Sequence, residues 1–91
     1  MANDKIYILF AIKDNQIYYI SNTNPIIWSP DIRASKCFIN RYSAECIVLR
    51  DYENYRYFSK MIQSKSIDYI YIAECLKNFE EIRRDKLLWV Q

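Results

Sequence analysis

The side chains of this sequence that could carry out covalent or acid–base chemistry are few and scattered. Histidine is absent, which removes the usual general base and the commonest metal ligand. Cys46 lies off the apolar stripe of a predicted helix and is the strongest candidate nucleophile, but no adjacent base or anion hole accompanies it. Glu80 and Glu81 diverge by about 100° on a helix, which is typical of solvated charges. We therefore predict no catalytic residues and a protein that is not an enzyme, with chemistry at Cys46 as the weakest alternative.

Cofactor and metal sites are not indicated either. Glycine is absent, and the phosphate-binding loops of the Walker and dinucleotide types need it so that the backbone can approach the ligand. Cys37, Cys46 and Cys75 are an odd number without Cys-x-x-Cys spacing, so zinc lacks a plausible ligand set. We predict no cofactor, no metal, and cysteines that serve as small core residues in a reducing compartment.

The composition indicates one globular domain spanning residues 1–91, because 52% of the residues are hydrophobic and 26% are charged. No secretory signal is recognisable, and no apolar run reaches the ~18 residues needed to span a bilayer. Fifteen Ile, nine Tyr, seven Asn and seven Lys have AT-rich codons, which indicates a low-GC bacterium or one of its phages. We expect the protein to act in the bacterial cytoplasm.

The charge balance limits the partners. Thirteen basic and eleven acidic residues leave a net charge of +2, with the mild basic bias in residues 41–65. A dedicated duplex-DNA binder usually shows a strong basic excess, and an acidic DNA mimic needs a large negative charge. Neither class fits this chain.

The first two predicted elements form a β-hairpin. The segments 5–13 and 16–22 are rich in β-branched and aromatic residues and are separated by Asp14-Asn15, which tolerate the positive φ of a type I′ turn. In that register Ile12 faces Ile17 and Phe10 faces Tyr19. Both faces of the hairpin are apolar, so either both are covered or one is an interaction surface.

The middle of the chain is predicted to be mainly helical. A short helix starts at Ser29-Pro30-Asp31, a short strand spans 36–39, and Asn40 caps a longer helix. The longer helix has one apolar stripe: Ala44, Ile47, Val48, Tyr55, Phe58 and Ile62. Asp51 interrupts this stripe, where an unpaired carboxylate is costly. Either the helix breaks there and Asp51 caps a second helix to about Gln63, or it continues with Asp51 satisfied locally.

The C-terminal third is predicted to contain a strand at 67–72 and an amphipathic helix at 74–86. This helix is predicted from the helical spacing of Cys75, Leu76, Phe79 and Ile82. A compact apolar tail follows at 87–90. The predicted fold is α+β, with a small antiparallel sheet of the N-terminal hairpin and one or two further strands. About three helices cover one face of this sheet.

The segment 31–47 resembles a stretch that recurs in small phage and bacterial proteins. Its pattern is carried by Asp31, Ile32, Ser35, Lys36, Phe38 and Ala44, with serine at position 35 where alanine is usual. The pattern is structural, and it implies that Phe38, Ala44 and Ile47 enter the core. In size and composition the chain also resembles short phage-encoded inhibitors of bacterial defence, anti-CRISPR proteins among them. That resemblance implies binding to a host protein complex, which could be a CRISPR effector.

Two regions are candidate partner-binding sites. Arg50, Arg56, Tyr57 and Lys60 point away from the apolar stripe, and Arg and Tyr are enriched at binding hot spots. Trp89 lies in a tail that is either an edge strand or an exposed anchor. We predict a non-enzymatic inhibitor that occupies a surface of a host defence complex. Membrane binding is not expected, and a homodimer stays open.

The alternative function is single-stranded nucleic-acid binding or regulation. Four tyrosines of the predicted strands could form an aromatic sheet surface on which bases stack: Tyr7, Tyr18, Tyr69 and Tyr71. Such surfaces normally carry basic and glycine-bearing strand motifs, whereas this chain has Asp68 beside its tyrosines. The sequence favours half-buried structural tyrosines.

Overall fold

Five antiparallel strands form one sheet with the order β3-β2-β1-β4-β5 in this computed structural model, which describes residues 5–88. The strands are β1 (Lys5–Lys13), β2 (Gln16–Thr23), β3 (Ile26–Ser29), β4 (Ile70–Leu76) and β5 (Arg83–Leu88). Two α-helices, α1 (Arg41–Glu45) and α2 (Tyr52–Gln63), pack on one face of the sheet. The α+β class and the antiparallel sheet are confirmed.

The N-terminal hairpin has the predicted turn and register. Asp14 and Asn15 adopt φ angles of 52° and 65°, and Phe10 pairs with Tyr19 while Ile12 pairs with Ile17. Because side chains alternate along a strand, this register fixes which residues of β1 and β2 face the helices.

The helical segment breaks at Asp51. Asn40 caps α1 by accepting from the Ser43 N–H at 2.8 Å, and a π-helical turn, Cys46–Arg50, follows α1. Asp51 is extended and caps α2, because its Oδ1 accepts from the Asn54 N–H at 3.0 Å. The Asn54 side-chain amide donates to the Ile47 carbonyl at 3.1 Å and ties the two segments together. Of the two alternatives, the broken helix is confirmed.

The predicted helix at 74–86 is wrong. Cys75 and Leu76 continue β4 and pair with Ile6 and Lys5 of β1, and the chain then reverses into β5. The apolar residues that match a helical spacing belong to two different elements: Cys75 and Leu76 end β4, and Phe79 lies in the turn that follows. Strand β4 gains pairing on both sides, and this non-local backbone pairing overrides a local helical pattern.

Three further expectations about the fold need correction. The segment 36–39 is not a strand, because only Phe38 bridges to Tyr7 of β1. The helix expected from Ser29 is a 3₁₀ turn, Ile32–Ala34, capped by Asp31. Strand β3 was not expected, and β5 covers a segment expected to be helical except at Leu87 and Leu88, for which an edge strand was one alternative. The described residues therefore hold five strands and two α-helices, where three or four strands and about three helices were expected.

Each face of the sheet carries a buried apolar cluster, but the helices cover only one face. The helices cover the main core, which consists of Leu9, Ala11, Ile20, Phe38, Ala44, Val48, Phe58, Ile62, Ile67, Ile70, Ile72, Leu87 and Leu88. Phe38 and Ala44 are therefore core residues as predicted, whereas Ile47, also predicted to enter the core, is only half-buried and packs against this cluster. The opposite face has a smaller core: Ile6, Ile8, Phe10, Ala73 and Cys75, packed against by Ile32 and Phe79. We call it the helix-free face.

The end of α2 shows how this chain turns without glycine. Lys65 has a φ of 62°, and its N–H donates to the Ile62 carbonyl, while the Ser66 N–H donates to the Met61 carbonyl. These two bonds define a Schellman motif, in which glycine is the usual residue at the left-handed position. Lysine pays a steric cost there because its Cβ crowds the backbone.

Lys65→Gly is therefore expected to stabilise the protein by about 0.5–1 kcal/mol, because it relieves the left-handed strain by more than it adds unfolded-state entropy. Urea unfolding monitored by tryptophan fluorescence measures this change. Lys65→Ala is the matched control, since it removes the same side chain but keeps the Cβ. A gain of equal size in Lys65→Ala would show that backbone strain is not the cause.

Candidate functional site

The outward side of the helical layer carries large side chains exposed to solvent. We call this set the helical surface: Tyr42, Leu49, Arg50, Tyr52, Tyr55 and Arg56. Tyr42 is 62% exposed and Tyr52 is 69% exposed. Single exposed apolar residues are ordinary, but a set of aromatic and arginine side chains on one layer has the composition of a protein-binding surface.

Two arginines of the helical surface lie over tyrosine rings. The Arg50 guanidinium is 5.6 Å from the Tyr42 ring centroid, and the Arg56 guanidinium is 5.6 Å from the Tyr52 ring centroid. Tyr52 and Arg56 are four residues apart on α2, the spacing at which helical side chains meet. Cation–π attraction at exposed sites is worth about 0.5–1 kcal/mol and restrains both partners.

The structure separates the residues that the sequence assigned to this site. Arg50, Arg56 and Lys60 are exposed on the helical layer as predicted. Tyr57 is 40% exposed, but its hydroxyl accepts from the Trp28 indole N–H at 3.1 Å and its ring lies 5.3 Å from that of Phe58. Tyr57 thus links α2 to the edge strand β3 as well as facing solvent. Trp89 lies outside the described residues.

The sequence reasoning missed Tyr42 and Tyr52. The i,i+4 spacing of Tyr52 and Arg56 was visible in the sequence once α2 was known to begin after Asp51. The contact of Arg50 with Tyr42 was not visible, because it depends on the π-helical turn that reorients Arg50 relative to α1.

An open groove lies between the β2–β3 turn and the start of α2. It has a volume of about 730 Å³ and is lined by Thr23, Asn24, Pro25, Ile26, Ile47, Asp51, Glu53, Asn54 and Tyr57. Its lining mixes apolar and polar side chains and includes two carboxylates, Asp51 and Glu53, at the N-terminal end of α2. Carboxylates are stabilised at a helix N-terminus, so their presence there is explained by the fold.

The four tyrosines proposed as a base-stacking surface do not share a face. Tyr7 lies on the helix side of β1, and Tyr18 lines a pocket of about 290 Å³ on the same side with Trp28 and Met61. Tyr71 packs on the helix-free face, and the Tyr69 ring meets it edge-on with centroids 5.9 Å apart. Tyr19 joins Tyr71 on that face. The base-stacking set named as the alternative is therefore wrong, whereas all four tyrosines are half-buried, as the sequence favoured. The tyrosines of the helix-free face are Tyr19, Tyr69 and Tyr71.

A polar cluster surrounds Glu74 on the helix side of β4. The Tyr7 hydroxyl donates to Glu74 Oε2 at 3.0 Å, and Lys5 Nζ lies 3.2 Å from Glu74 Oε1. The hydrogen bond from Tyr7, followed by the contact with Lys5, lowers the pKa of Glu74, while the same bond is the largest cause of the raised pKa of Tyr7. Arg41 stands nearby and pairs with Glu45 and Asp85 at 2.6 and 3.0 Å.

Tyr7→Phe is expected to raise the pKa of Glu74 toward its ordinary value by removing the hydroxyl donor. Because the folded-state pKa of Glu74 is lowered, its stabilising effect is present above its unfolded pKa. That effect is lost as the pH falls below about 4. The acid-induced loss of stability should therefore be smaller in Tyr7→Phe than in the unsubstituted protein. NMR titration of the Glu74 carboxyl carbon measures the pKa, with Tyr18→Phe as the control that should leave it unchanged.

The cysteines do not gather around a reactive centre. Cys37 is exposed, Cys46 half-buried and Cys75 buried, and all three are free thiols. Desolvation raises the pKa of the buried Cys75 thiol, and partial desolvation of its sulfur raises the pKa of Cys37 although the residue as a whole is exposed, which disfavours both thiolate forms. Within residues 5–88, no three Cys, Asp or Glu side chains are grouped so that they could hold a metal ion. No helix of residues 5–88 is long and apolar enough to cross a membrane.

Searches against protein-family models, curated proteins and solved structures find no match to this chain. The function must therefore be argued from the geometry of its surfaces.

Proposed function

We propose that this protein is a non-enzymatic inhibitor whose helical surface docks on a host protein complex and blocks it by occupying a functional site. The observation that carries the proposal is the pair of arginine–tyrosine contacts, Arg50 with Tyr42 and Arg56 with Tyr52, on a layer that exposes both rings. Tyr and Arg, together with Trp, are enriched among the residues whose truncation weakens protein–protein binding most.

The two arginine–tyrosine contacts favour binding because they reduce the entropy lost on association. A tyrosine has only two side-chain torsions, and an arginine held over a ring samples fewer rotamers than one in open solvent. Immobilising a flexible side chain at an interface costs about 0.5–1.5 kcal/mol, so pre-ordered side chains retain more of their contact energy.

The charges of the helical layer favour a partner with an acidic rim. Arg50, Arg56 and Lys60 form no salt bridge with another residue in the part of the chain that the structure describes. Unpaired cations around aromatic anchors steer a negatively charged partner and speed association. A folded domain of this size can present the ~800 Å² that a standard interface buries on each side.

The proposed setting is the cytoplasm of a low-GC bacterium infected by a phage. The support is the AT-rich residue usage and the small size of the chain, which it shares with anti-CRISPR proteins. The host target is proposed to be a defence complex, with a CRISPR effector as one such target. A small chain can inhibit a large complex by covering a site, without catalysis.

Affinity capture with paired variants tests this proposal. The purified protein is immobilised and exposed to nuclease-treated lysate of a low-GC bacterium that carries defence systems. A protein retained by the unsubstituted chain in stoichiometric amounts is expected to be lost with Arg50→Gln/Arg56→Gln. The matched control is Lys65→Gln/Lys77→Gln, which removes the same charge from exposed positions outside the helical surface and is expected to retain the protein.

The captured complex is then assayed for its own activity with increasing amounts of the chain. Inhibition that saturates at one chain per complex supports the proposal. Retention of the partner by Arg50→Gln/Arg56→Gln, or a fully active complex at saturation, would overturn it.

A further inference from the structure

The strand β5 sorts its charges between the two faces of the sheet. Arg84 pairs with Ala73 and Lys86 with Tyr71, so two of its three basic residues lie in register with the helix-free face, whereas Arg83 pairs with Glu74 on the helix side. The intervening Asp85 is in register with Ile72 and pairs with Arg41 at 3.0 Å on the helix side. The helix-free face thus receives two cations from a strand whose carboxylate lies on the other side.

Aromatic rings cross this face next to the two cations. Phe10 lies between Tyr71, stacked with centroids 4.9 Å apart, and Tyr19, tilted with centroids 5.9 Å apart. Tyr69 extends the row from Tyr71. Phe10 is 2% exposed, whereas the three tyrosines are half-buried and keep part of each side chain accessible. The row therefore presents tyrosines to solvent above a buried phenylalanine.

The cations lie over the rings and not beside carboxylates. Arg84 is 5.9 Å from the Phe10 ring centroid, and Lys86 Nζ is 4.1 Å from the Tyr69 ring centroid. Neither forms a salt bridge with any residue between 5 and 88. Arg84 also borders an open pocket of about 170 Å³, which is lined by Ile8, Phe10, Ile17, Tyr19, Ile32 and Ile82. A planar group that entered this pocket would contact the Tyr19 ring and the surrounding apolar side chains, and the Arg84 guanidinium would lie at the rim of the pocket.

We infer that the helix-free face binds single-stranded nucleic acid, with bases stacked at Tyr19 and at Tyr69 and Tyr71, and with phosphates held by Arg84 and Lys86. Two properties select this ligand. Tyrosines on a sheet stack with unpaired bases of any sequence, and neighbouring cations without carboxylate partners neutralise the backbone. An acidic peptide would pair with the cations but would not stack on the tyrosine rings. The bases of a duplex are already stacked on one another and could not reach the rings.

This inference is independent of the proposed function, because it concerns the opposite side of the sheet from the helical surface. The expected electrostatic contribution is modest, because the net charge is only +2 and two phosphate contacts predict a slope of log K against log salt of about −1.4, or about a sevenfold loss of affinity between 50 and 200 mM salt. Each base stacked on an aromatic ring contributes about fivefold to 150-fold in affinity, as judged by alanine substitution.

Fluorescence anisotropy with labelled probes tests the inference, the single-stranded probes being 20 nucleotides long. The probes are oligo-dT, oligo-U, a 20-base-pair DNA duplex and a polyglutamate peptide, each titrated at 50 and at 200 mM salt. We expect both single-stranded probes to bind more tightly than the duplex and the peptide. The DNA and RNA arms show which sugar the site accepts.

Three variants locate the site. Arg84→Gln/Lys86→Gln keeps the aliphatic stems over the rings and is expected to weaken binding about tenfold, and to lower the slope of log K against log salt by about 1.4. Tyr19→Leu is expected to weaken binding about tenfold without changing that slope, because it removes a ring and no charge. The control Lys60→Gln/Lys65→Gln removes the same charge from exposed positions on α2 and in the loop that follows it, and should change the affinity less than twofold. Thermal melts verify that each variant folds.

Several results would overturn the inference. One is the absence of single-strand binding at 50 mM salt with up to ~100 µM protein. Others are equal affinity for the duplex or the peptide, and an equal loss in Lys60→Gln/Lys65→Gln. If Tyr19→Leu fails to fold, Tyr69→Leu replaces it, since Tyr69 lies outside the strands at the end of the row. Loss of this activity leaves capture of the protein partner unaffected, so the two proposals fail separately.

Discussion

Phe38→Ala is expected to lower the free energy of unfolding by about 3–5 kcal/mol. The Phe38 side chain is 8% exposed within the main core, and its backbone bonds to Tyr7 in both directions, with N–O distances of 2.8 and 2.9 Å. The backbone bridge holds the position in place, so the core cannot collapse easily into the cavity left by the ring. A domain of this size has roughly 5–9 kcal/mol of stability in total. The variant should therefore be barely folded, which urea unfolding and a thermal melt both measure.

The adjacent residue supplies the control for this prediction. Ile39 is 86% exposed, so Ile39→Ala also truncates a large apolar side chain but should change stability by less than about 0.5 kcal/mol. An unchanged melting temperature in Phe38→Ala, or an equal loss in Ile39→Ala, would contradict the placement of Phe38 in the core.

The features that could be predicted from the sequence are those determined locally. Asp14-Asn15 allows positive φ at both turn positions, and the alternation on either side leaves one register that matches the apolar residues. The caps at Asn40 and Asp51 follow from the same reasoning, since each side chain satisfies an N–H that the helix cannot. Asp51 in the middle of an apolar stripe indicated a break because burying an unpaired carboxylate is costly.

The features that could not be predicted depend on pairing between distant segments. The residues of β4 and β5 match a helical spacing as well as a strand, and the choice is made by β1, which pairs with β4 over seven positions. The turn between β4 and β5 carried no recognisable signal, because its left-handed residues are Phe79 and Glu81 where glycine is usual. Aromatic and charged residues at left-handed positions therefore do not indicate a turn as Asp14-Asn15 does.

The candidate sites divide in the same way. Arg56 and Lys60 were placed correctly because the periodicity of α2 determines which side of the helix is exposed. Tyr57 was assigned to the exposed side, but its hydrogen bond to Trp28 depends on β3, a strand that the sequence did not indicate. Likewise, the helix-free face collects its two cations from β5, so Arg84 and Lys86 could not be recognised while that segment was expected to be a helix.

Among the residues of the helical surface, Tyr52 is expected to contribute most to partner binding. Tyr52→Ala is expected to weaken binding to the captured partner by about thirtyfold or more, which corresponds to about 2 kcal/mol. Its ring is 69% exposed and holds Arg56, so truncation removes an anchor and releases the arginine at once. Stability should change by no more than about 0.5–1 kcal/mol, because the side chain lies outside the core. Surface plasmon resonance and thermal melts measure the two quantities side by side.

The other residues of this region separate binding from folding. Arg56→Ala should behave like Tyr52→Ala, whereas Lys60→Ala, at the edge of the surface, should mainly slow association and reduce its salt dependence. Tyr57→Ala should lower stability as well as affinity, because it breaks the bond to Trp28 and the packing on Phe58. Tyr52→Phe keeps the ring that Arg56 covers and is the matched control, expected to bind within threefold of the unsubstituted chain.

The decisive comparison is between Tyr52→Ala/Arg56→Ala and Trp89→Ala, the candidate anchor in the tail. If the helical surface is the docking site, the double variant folds normally and loses the partner, because both the ring and the planar cation of the contact are gone. If the double variant folds and binds normally while Trp89→Ala loses the partner, the site lies at the C-terminal tail and the helical surface is only a solvated face. The arginine–tyrosine contacts would then serve the stability of the exposed helices, at about 0.5–1 kcal/mol each, and not recognition.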